Sequence, residues 1–168
     1  MNKTRQLILT ALMASITTVG AQIVIPIGTV PVTLQTFAVF LSGMVLGPVC
    51  GAISQMAYLL LGLFGLPVFA MFSSGLGILA GPTGGFLLAF PFVAFLSGID
   101  RGQSKYFFRL CALLILYIFG WIRLSFFTGN LLTAFFTGVL PFIGFDLLKV
   151  WGAGLVHKHL KNRLLFLD

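Results

Sequence analysis

The sequence predicts an all-α membrane protein: a bundle of six transmembrane helices with both termini in the cytoplasm. Three observations carry this. Of 168 residues, 59 % are hydrophobic and only 8 % are charged, with a mean hydropathy of +1.12. A soluble domain keeps roughly a quarter of its residues charged. So few charges cannot cover a water-facing surface, and lipid is the solvent that suits this chain. The second observation is a series of six apolar segments. The third is that the basic residues fall on alternate connections between them.

The first segment, Leu7–Ile25, has the ~20 residues a crossing needs. Lys3 and Arg5 before it, and the small residues Thr18-Val19-Gly20-Ala21, would also suit a cleavable signal. The length of the run favours a retained helix. Leu34–Leu46 and Gly51–Phe64 are short for a full crossing, and are expected to extend into their flanks, tilt, or be shielded by neighbours. Pro82–Gly98, Tyr106–Leu124 and Thr137–His157 complete the six. Pro26, Pro31, Pro48, Pro67 and Pro82 fall near segment ends, where a missing N–H is tolerated. Asp100 to Lys105 is the clearly polar internal loop. No repeat or low-complexity tract divides the chain, so residues 1–168 are read as one domain.

With six spans, Lys3, Arg5, Arg101, Lys105, Arg109, Lys158, Lys161 and Arg163 all lie on one face. The first-to-second and third-to-fourth connections carry no Lys or Arg. The positive-inside rule then places both termini in the cytoplasm. A net charge of +7 invites a nucleic-acid reading, but the basic residues form no compact groove to track phosphates, and no nucleic-acid partner is expected. Cys50 and Cys111 sit in apolar surroundings without metal-ligand spacing and read as small packing residues.

Two basic residues fall outside the charge tally. Arg123 lies near the outer end of the fifth segment, where it either snorkels to the interface or partners a carboxylate. Lys149 lies inside the sixth, three residues after Asp146, so the two share one helical face. Each alone costs about 2.5–3.5 kcal/mol at mid-bilayer on the insertion scale. The pair either fixes helix packing or faces a polar ligand. The uncharged connections are the other candidates. One runs Pro26-Ile27-Gly28-Thr29-Val30-Pro31-Val32-Thr33-Leu34-Gln35-Thr36. The other runs from Gly65-Leu66-Pro67-Val68-Phe69 to Gly81-Pro82-Thr83-Gly84-Gly85-Phe86. Irregular backbone at membrane depth survives only when buried or lining a cavity, so these are either ordinary turns or the lid and walls of an outward-opening pocket.

These residues carry a resemblance. Val30-Pro31-Val32-Thr33-Leu34-Gln35-Thr36 resembles the "vPvTlQt" segment of the BioY family. The two stretches of the second connection resemble its "GlPvF" and "GPtGGy" segments, and Pro141-Phe142-Ile143-Gly144-Phe145-Asp146-Leu147-Leu148-Lys149 resembles its "PFipgDllK" stretch. Four motifs in order over most of the chain are specific. The resemblance implies an S component, the substrate-capture subunit of an energy-coupling factor transporter for biotin, working with a coupling transmembrane subunit and paired ATPases. Some family members act without a dedicated coupling module. By position, Asp146 and Lys149 fall on the family's ligand-contacting acid and base. The candidate ligand-binding set adds Thr33 and Gln35; Gly81, Pro82, Thr83, Gly84, Gly85 and Phe86; and Tyr58 and Arg123. Phe86 stands where the family often has Tyr, and Phe145 replaces a small residue, which is expected to crowd the last helix.

On the first helix, Ala11 with Ser15 and Ala14 with Thr18 form small-xxx-small pairs that allow close helix approach. The resemblance implies a docking face for the coupling subunit; packing within the chain is the other use. Gln55 and Tyr58 on the third segment offer hydrogen bonds to a ligand or to other helices. No cofactor or metal is implied beyond biotin as the transported ligand. An intramembrane hydrolase would need a nucleophile with a base, or a metal site, yet the histidines, His157 and His159, sit in the basic tail and no G-x-S-x-G or H-E-x-x-H occurs. Without a G-x-x-x-x-G-K-[ST] phosphate loop the chain is not expected to be the ATPase. A small channel and an S component for another vitamin remain as alternatives.

Overall fold

The computed structural model describes residues 3–26 and 30–164; Ile27, Gly28 and Thr29 of the first connection and the side chain of Arg163 lie outside the described residues. The chain forms α1 (Lys3–Gln22), a hairpin of β1 (Val24–Ile25) and β2 (Val32–Thr33), α2 (Gln35–Leu46), α3 (Pro48–Leu63), α4 (Leu76–Ala80), α5 (Gly84–Ser97), α6 (Lys105–Thr128), α7 (Leu131–Gly138) and α8 (Ile143–Leu164).

Two departures from the expected segments have local causes, and a third extends the last helix. The first helix stops at Gln22, and Val24–Ile25 pairs antiparallel with Val32–Thr33, because β-branched residues beside Pro26 and Pro31 favour extended backbone. The segment expected as one helix over Thr137–His157 is interrupted. Pro141 supplies no N–H, so α7 ends at Gly138, a short 3₁₀ turn spans Leu140–Phe142, and α8 begins at Ile143. Lys158 and Lys161, expected in a tail, are helical and belong to α8. Among the described residues the helical runs Gly102–Thr128 and Leu131–Lys161 qualify as full spans by length and composition, against the six expected. The other apolar helices are shorter: α2, with 12 residues, reaches about 18 Å against a ~30 Å hydrocarbon core.

That shortness is matched by shielding. Helix α2 packs against α1, α3, α5 and α8 and is buried almost all round, from Thr36 to Met44. Around it Phe40, Tyr58, Phe69, Phe90, Val93 and Leu116 form the core. Close approach rests on glycine. A Cβ on Gly51 would come within 2.7 Å of the Gly43 Cα, and one on Gly43 would strike the Ala94 carbonyl, so α2 meets α3 and α5 backbone to backbone. The outer surface is apolar instead of charged, with Leu7, Phe64, Phe107, Leu114, Phe126 and Trp151 all exposed. In water such a coat would aggregate; against lipid it is at home.

Gln55 is the polar tie among α1, α2 and α3. Its amide N–H groups donate to Thr17 Oγ1 at 3.2 Å and Ser42 Oγ at 3.0 Å, so it ties helices together and does not line the cavity described below. Gln55→Ala is expected to lower stability by about 1 kcal/mol, within the range measured for hydrogen bonds between membrane helices, read as a lower melting temperature in detergent. At the opposite end from the hairpin, Lys161 Nζ on α8 donates to Asp100 Oδ2 at 3.3 Å. Burial pushes the Asp100 carboxyl up, but the Lys161 hydrogen bond and the charges of Lys161, Lys105 and His157 outweigh it and hold its pKa below the ordinary value.

Candidate binding site

A cavity of about 290 Å³ lies where the hairpin, the long connection between α3 and α5, and the starts of α2 and α8 converge. This is near the lower edge of the roughly 300–1,000 Å³ typical of small-molecule sites. Its apolar walls include Phe69, Phe86, Leu87, Phe90, Leu116 and Phe142; its polar groups are Thr33, Gln35, Thr36, Ser73, Thr83, Asp146 and Lys149.

The charged pair sits in the first two turns of α8. Lys149 Nζ is 2.8 Å from Asp146 Oδ1, with side chains only 11 % and 5 % exposed. Tyr117 on α6 donates its hydroxyl to the other carboxylate oxygen at 3.0 Å. The break at Pro141 places Asp146 in the first turn of α8, where the helix dipole favours an anion. An ion pair, a phenol and a helix start therefore hold the carboxylate, leaving the ammonium two further donors.

Across the cavity, Gln35 opens α2. Thr33 Oγ1 donates to Gln35 Oε1 at 2.9 Å, Gln35 Nε2 donates to the Tyr58 oxygen at 2.5 Å, and the Tyr58 hydroxyl donates to the Val68 carbonyl at 3.1 Å. Tyr58 is fully buried and props Gln35 from behind. One Gln35 N–H is left for a ligand. Above, Met71 (φ 58°) and Phe72 (φ 55°) adopt the left-handed region, strained for non-glycine residues. Gln22, at the end of α1, spans this turn: its Nε2 donates to the Phe69 carbonyl at 3.0 Å, and its Oε1 accepts from the Phe72 N–H at 2.9 Å.

The BioY family model matches residues 1–166. The chain belongs to the BioY family. It is 45 % identical over 160 residues to a protein of Pyrococcus horikoshii named probable biotin transporter BioY, covering 95 % of this chain and 98 % of that one. It is 42 % identical over 163 residues to the biotin transporter BioY of Thermotoga maritima, covering 94 % and 96 %. Among solved structures it is similar to the S-component for biotin from an ECF-type ABC transporter, with a TM-score of 0.87, 30 % identity, and 95 % and 92 % of the two chains covered. The helices thus have the arrangement of a membrane S component.

The BioY-like segments meet at the cavity, but only part of each reaches it. Thr33, Gln35, Thr83, Phe86, Asp146 and Lys149 line it; Gly81, Pro82, Gly84, Gly85, Tyr58 and Arg123 do not. The glycines are packing positions: a Cβ on Gly84 would strike the Leu79 carbonyl and one on Gly85 the Phe119 carbonyl, so they seat the start of α5 against α4 and α6. Among the described residues Arg123 meets backbone carbonyls and not a protein carboxylate. It donates to the Ala80 and Gly81 carbonyls at the end of α4 and lies over the Phe127 ring, holding the long connection in place. Phe145 points out of the bundle, 45 % exposed, so it does not crowd the last helix. On α1, Ala11 and Ser15 are exposed, but Ala14 is buried in the chain's own core and Thr18 half-buried. Sequence reasoning missed Tyr117, Gln22 and the cavity wall of Leu87, Phe90, Leu116 and Phe142. Leu87, Phe90 and Leu116 are ordinary apolar-helix residues; Gln22 and Tyr117 are lone polar side chains in apolar runs, and Phe142 lies in a BioY-like stretch where only its neighbours Asp146 and Lys149 stand out.

Proposed function

We propose that this chain is a multi-pass membrane subunit that captures biotin from the outer side of the cell membrane for uptake. Six helices span the bilayer as a single domain, and both termini are cytoplasmic. The observation that carries this reading is a cavity whose apolar aromatic walls hold a largely buried carboxylate and ammonium, in a chain of the BioY family. Biotin offers ureido N–H donors, a ureido carbonyl, an apolar sulfur ring and a carboxylate tail. A carboxylate accepts N–H bonds and an ammonium suits a carbonyl or carboxylate; Asp146 and Lys149 take the polar ends, Gln35 adds an amide contact, and the aromatic walls take the ring. The chain has no hydrolytic or ATPase role of its own, and ATP hydrolysis comes from partner subunits where it is coupled. The positive-inside asymmetry supports the orientation, since the lysines and arginines of the tally lie at the end away from the cavity.

Equilibrium binding of labelled biotin to the purified protein, with other vitamins as competitors, tests this. Saturable binding displaced by biotin alone is expected; displacement only by a different vitamin would make the chain an S component for that vitamin. Exposed Ala11 and Ser15 mark the docking face for a coupling subunit. The double variant Ala11→Leu, Ser15→Leu is expected to keep biotin affinity within about twofold, since surface changes away from a site seldom exceed ~0.5 kcal/mol, while co-purification of the coupling subunit is lost. Undiminished co-purification would remove this face from the docking assignment.

A further inference from the structure

A second cavity, of about 560 Å³, lies at the other end of α8, between its last turns and the start of α6. Lys149 and Lys161 are separated by about 18 Å along the helix, so this groove is distinct from the biotin site. Its rim carries Lys105 and Arg109 from α6, Lys158 and Lys161 from α8, and Asp100. Asp100 is engaged by Lys161, which leaves three cations around the opening. The Arg109 guanidinium lies over the Tyr106 ring at 5.7 Å and beside Gly154 of α8. Its Nε is buried with no hydrogen-bond partner among the described residues. Below this rim the groove is apolar, walled by Leu110, Leu147 and Trp151, and these are 54 %, 46 % and 67 % exposed on the surface that faces lipid.

The geometry points to a binding site for an anionic phospholipid, its phosphate held by Lys105, Arg109 and Lys158 and an acyl chain lying along Leu110, Leu147 and Trp151. A planar guanidinium suits phosphate oxygens. Basic pockets between helices on the cytoplasmic side are suited to acidic headgroups. A free phosphate would use the cations but not the apolar wall, and the continuity of the two selects a lipid. The inference requires that the chain is embedded in a membrane but is independent of which vitamin it captures.

The test is lipid titration of the full-length detergent-purified protein, followed by native mass spectrometry and melting temperature, with biotin affinity measured on the same samples. Phosphatidylglycerol is expected to bind and raise the melting temperature, and phosphatidylcholine to do neither. The double variant Lys105→Ala, Lys158→Ala is expected to weaken phosphatidylglycerol binding by about 25-fold, at roughly fivefold per cation, with biotin affinity unchanged. The control Lys3→Gln, Arg101→Gln, which removes two cations that do not line the groove, leaves lipid binding within about twofold, since changes away from a site seldom exceed ~0.5 kcal/mol. Equal loss in the control, equal binding of the two lipids, or full displacement by inorganic phosphate at the lipid's concentration would each overturn the proposal. So would a double variant that binds lipid normally but fails to co-purify with a coupling subunit, since the groove would then be a protein contact.

Discussion

Lys149→Ala is expected to weaken biotin binding about a hundredfold or more, measured by calorimetry on purified protein. The ammonium is buried and bound to Asp146 Oδ1 at 2.8 Å while lining the cavity. Truncating one member of a buried charge pair costs about 2–5 kcal/mol, and ~2.8 kcal/mol corresponds to a hundredfold in affinity. Some of that cost falls on the unliganded protein, because Asp146 is left with Tyr117 alone, so its melting temperature is also expected to drop. A second variant separates the two contributions. Asp146→Leu with Lys149→Met removes both charges, and replacing a buried ion pair by apolar residues is often neutral or stabilising. This double variant should regain wild-type thermal stability and still fail to bind biotin. Recovery of binding along with stability would show that the pair serves packing and not the ligand.

Gly43→Leu is expected to abolish recovery of monodisperse folded protein from detergent, the larger of the two effects. A Cβ at this position would strike the Ala94 carbonyl and Ser97 Oγ of α5, and on the α3 side Gly51 approaches so closely that a Cβ there would lie 2.7 Å from the Gly43 Cα. Overpacking against side chains costs about 1–3 kcal/mol. Here the obstacle is backbone, which cannot rotate away, so α2 must separate from α3 and α5. Because α2 also presents Gln35 and Thr36 to the cavity, Gly43→Ala is expected to lower both melting temperature and biotin affinity. Gly144→Ala is the contrast: a Cβ there meets nothing within 4 Å, and alanine is favoured over glycine in a helix by about 1 kcal/mol, so stability should hold or rise. Similar losses at both positions would show that glycine matters for helix propensity generally and not for this contact.

Much of the site is legible along the chain because its charged part is local. Asp146 and Lys149 are three residues apart on one helix, and a charge in an apolar run is conspicuous. Helical register is harder to read. In water, the polar face of a helix betrays its apolar inner face; in lipid, both faces are apolar. Helix α5 shows the consequence: Phe90 is buried in the core while Phe92 and Phe95 face outward, and hydropathy cannot tell them apart. The pairing of Tyr117 with Asp146, 29 residues apart in sequence, was invisible for the same reason. Arg123 was conspicuous, but its partners are backbone carbonyls at the end of α4, which no residue pattern marks.

The sequence by itself determined the solvent, the helical class, the family motifs and the buried ion pair. Each depends on composition or on neighbours within one or two turns. Only the tertiary structure decided which residues close the cavity, what Arg123 binds, and which small residues face inward. Those choices follow from side-chain volume and backbone contact between distant helices, and in a uniformly apolar environment shape, not polarity, selects the packing.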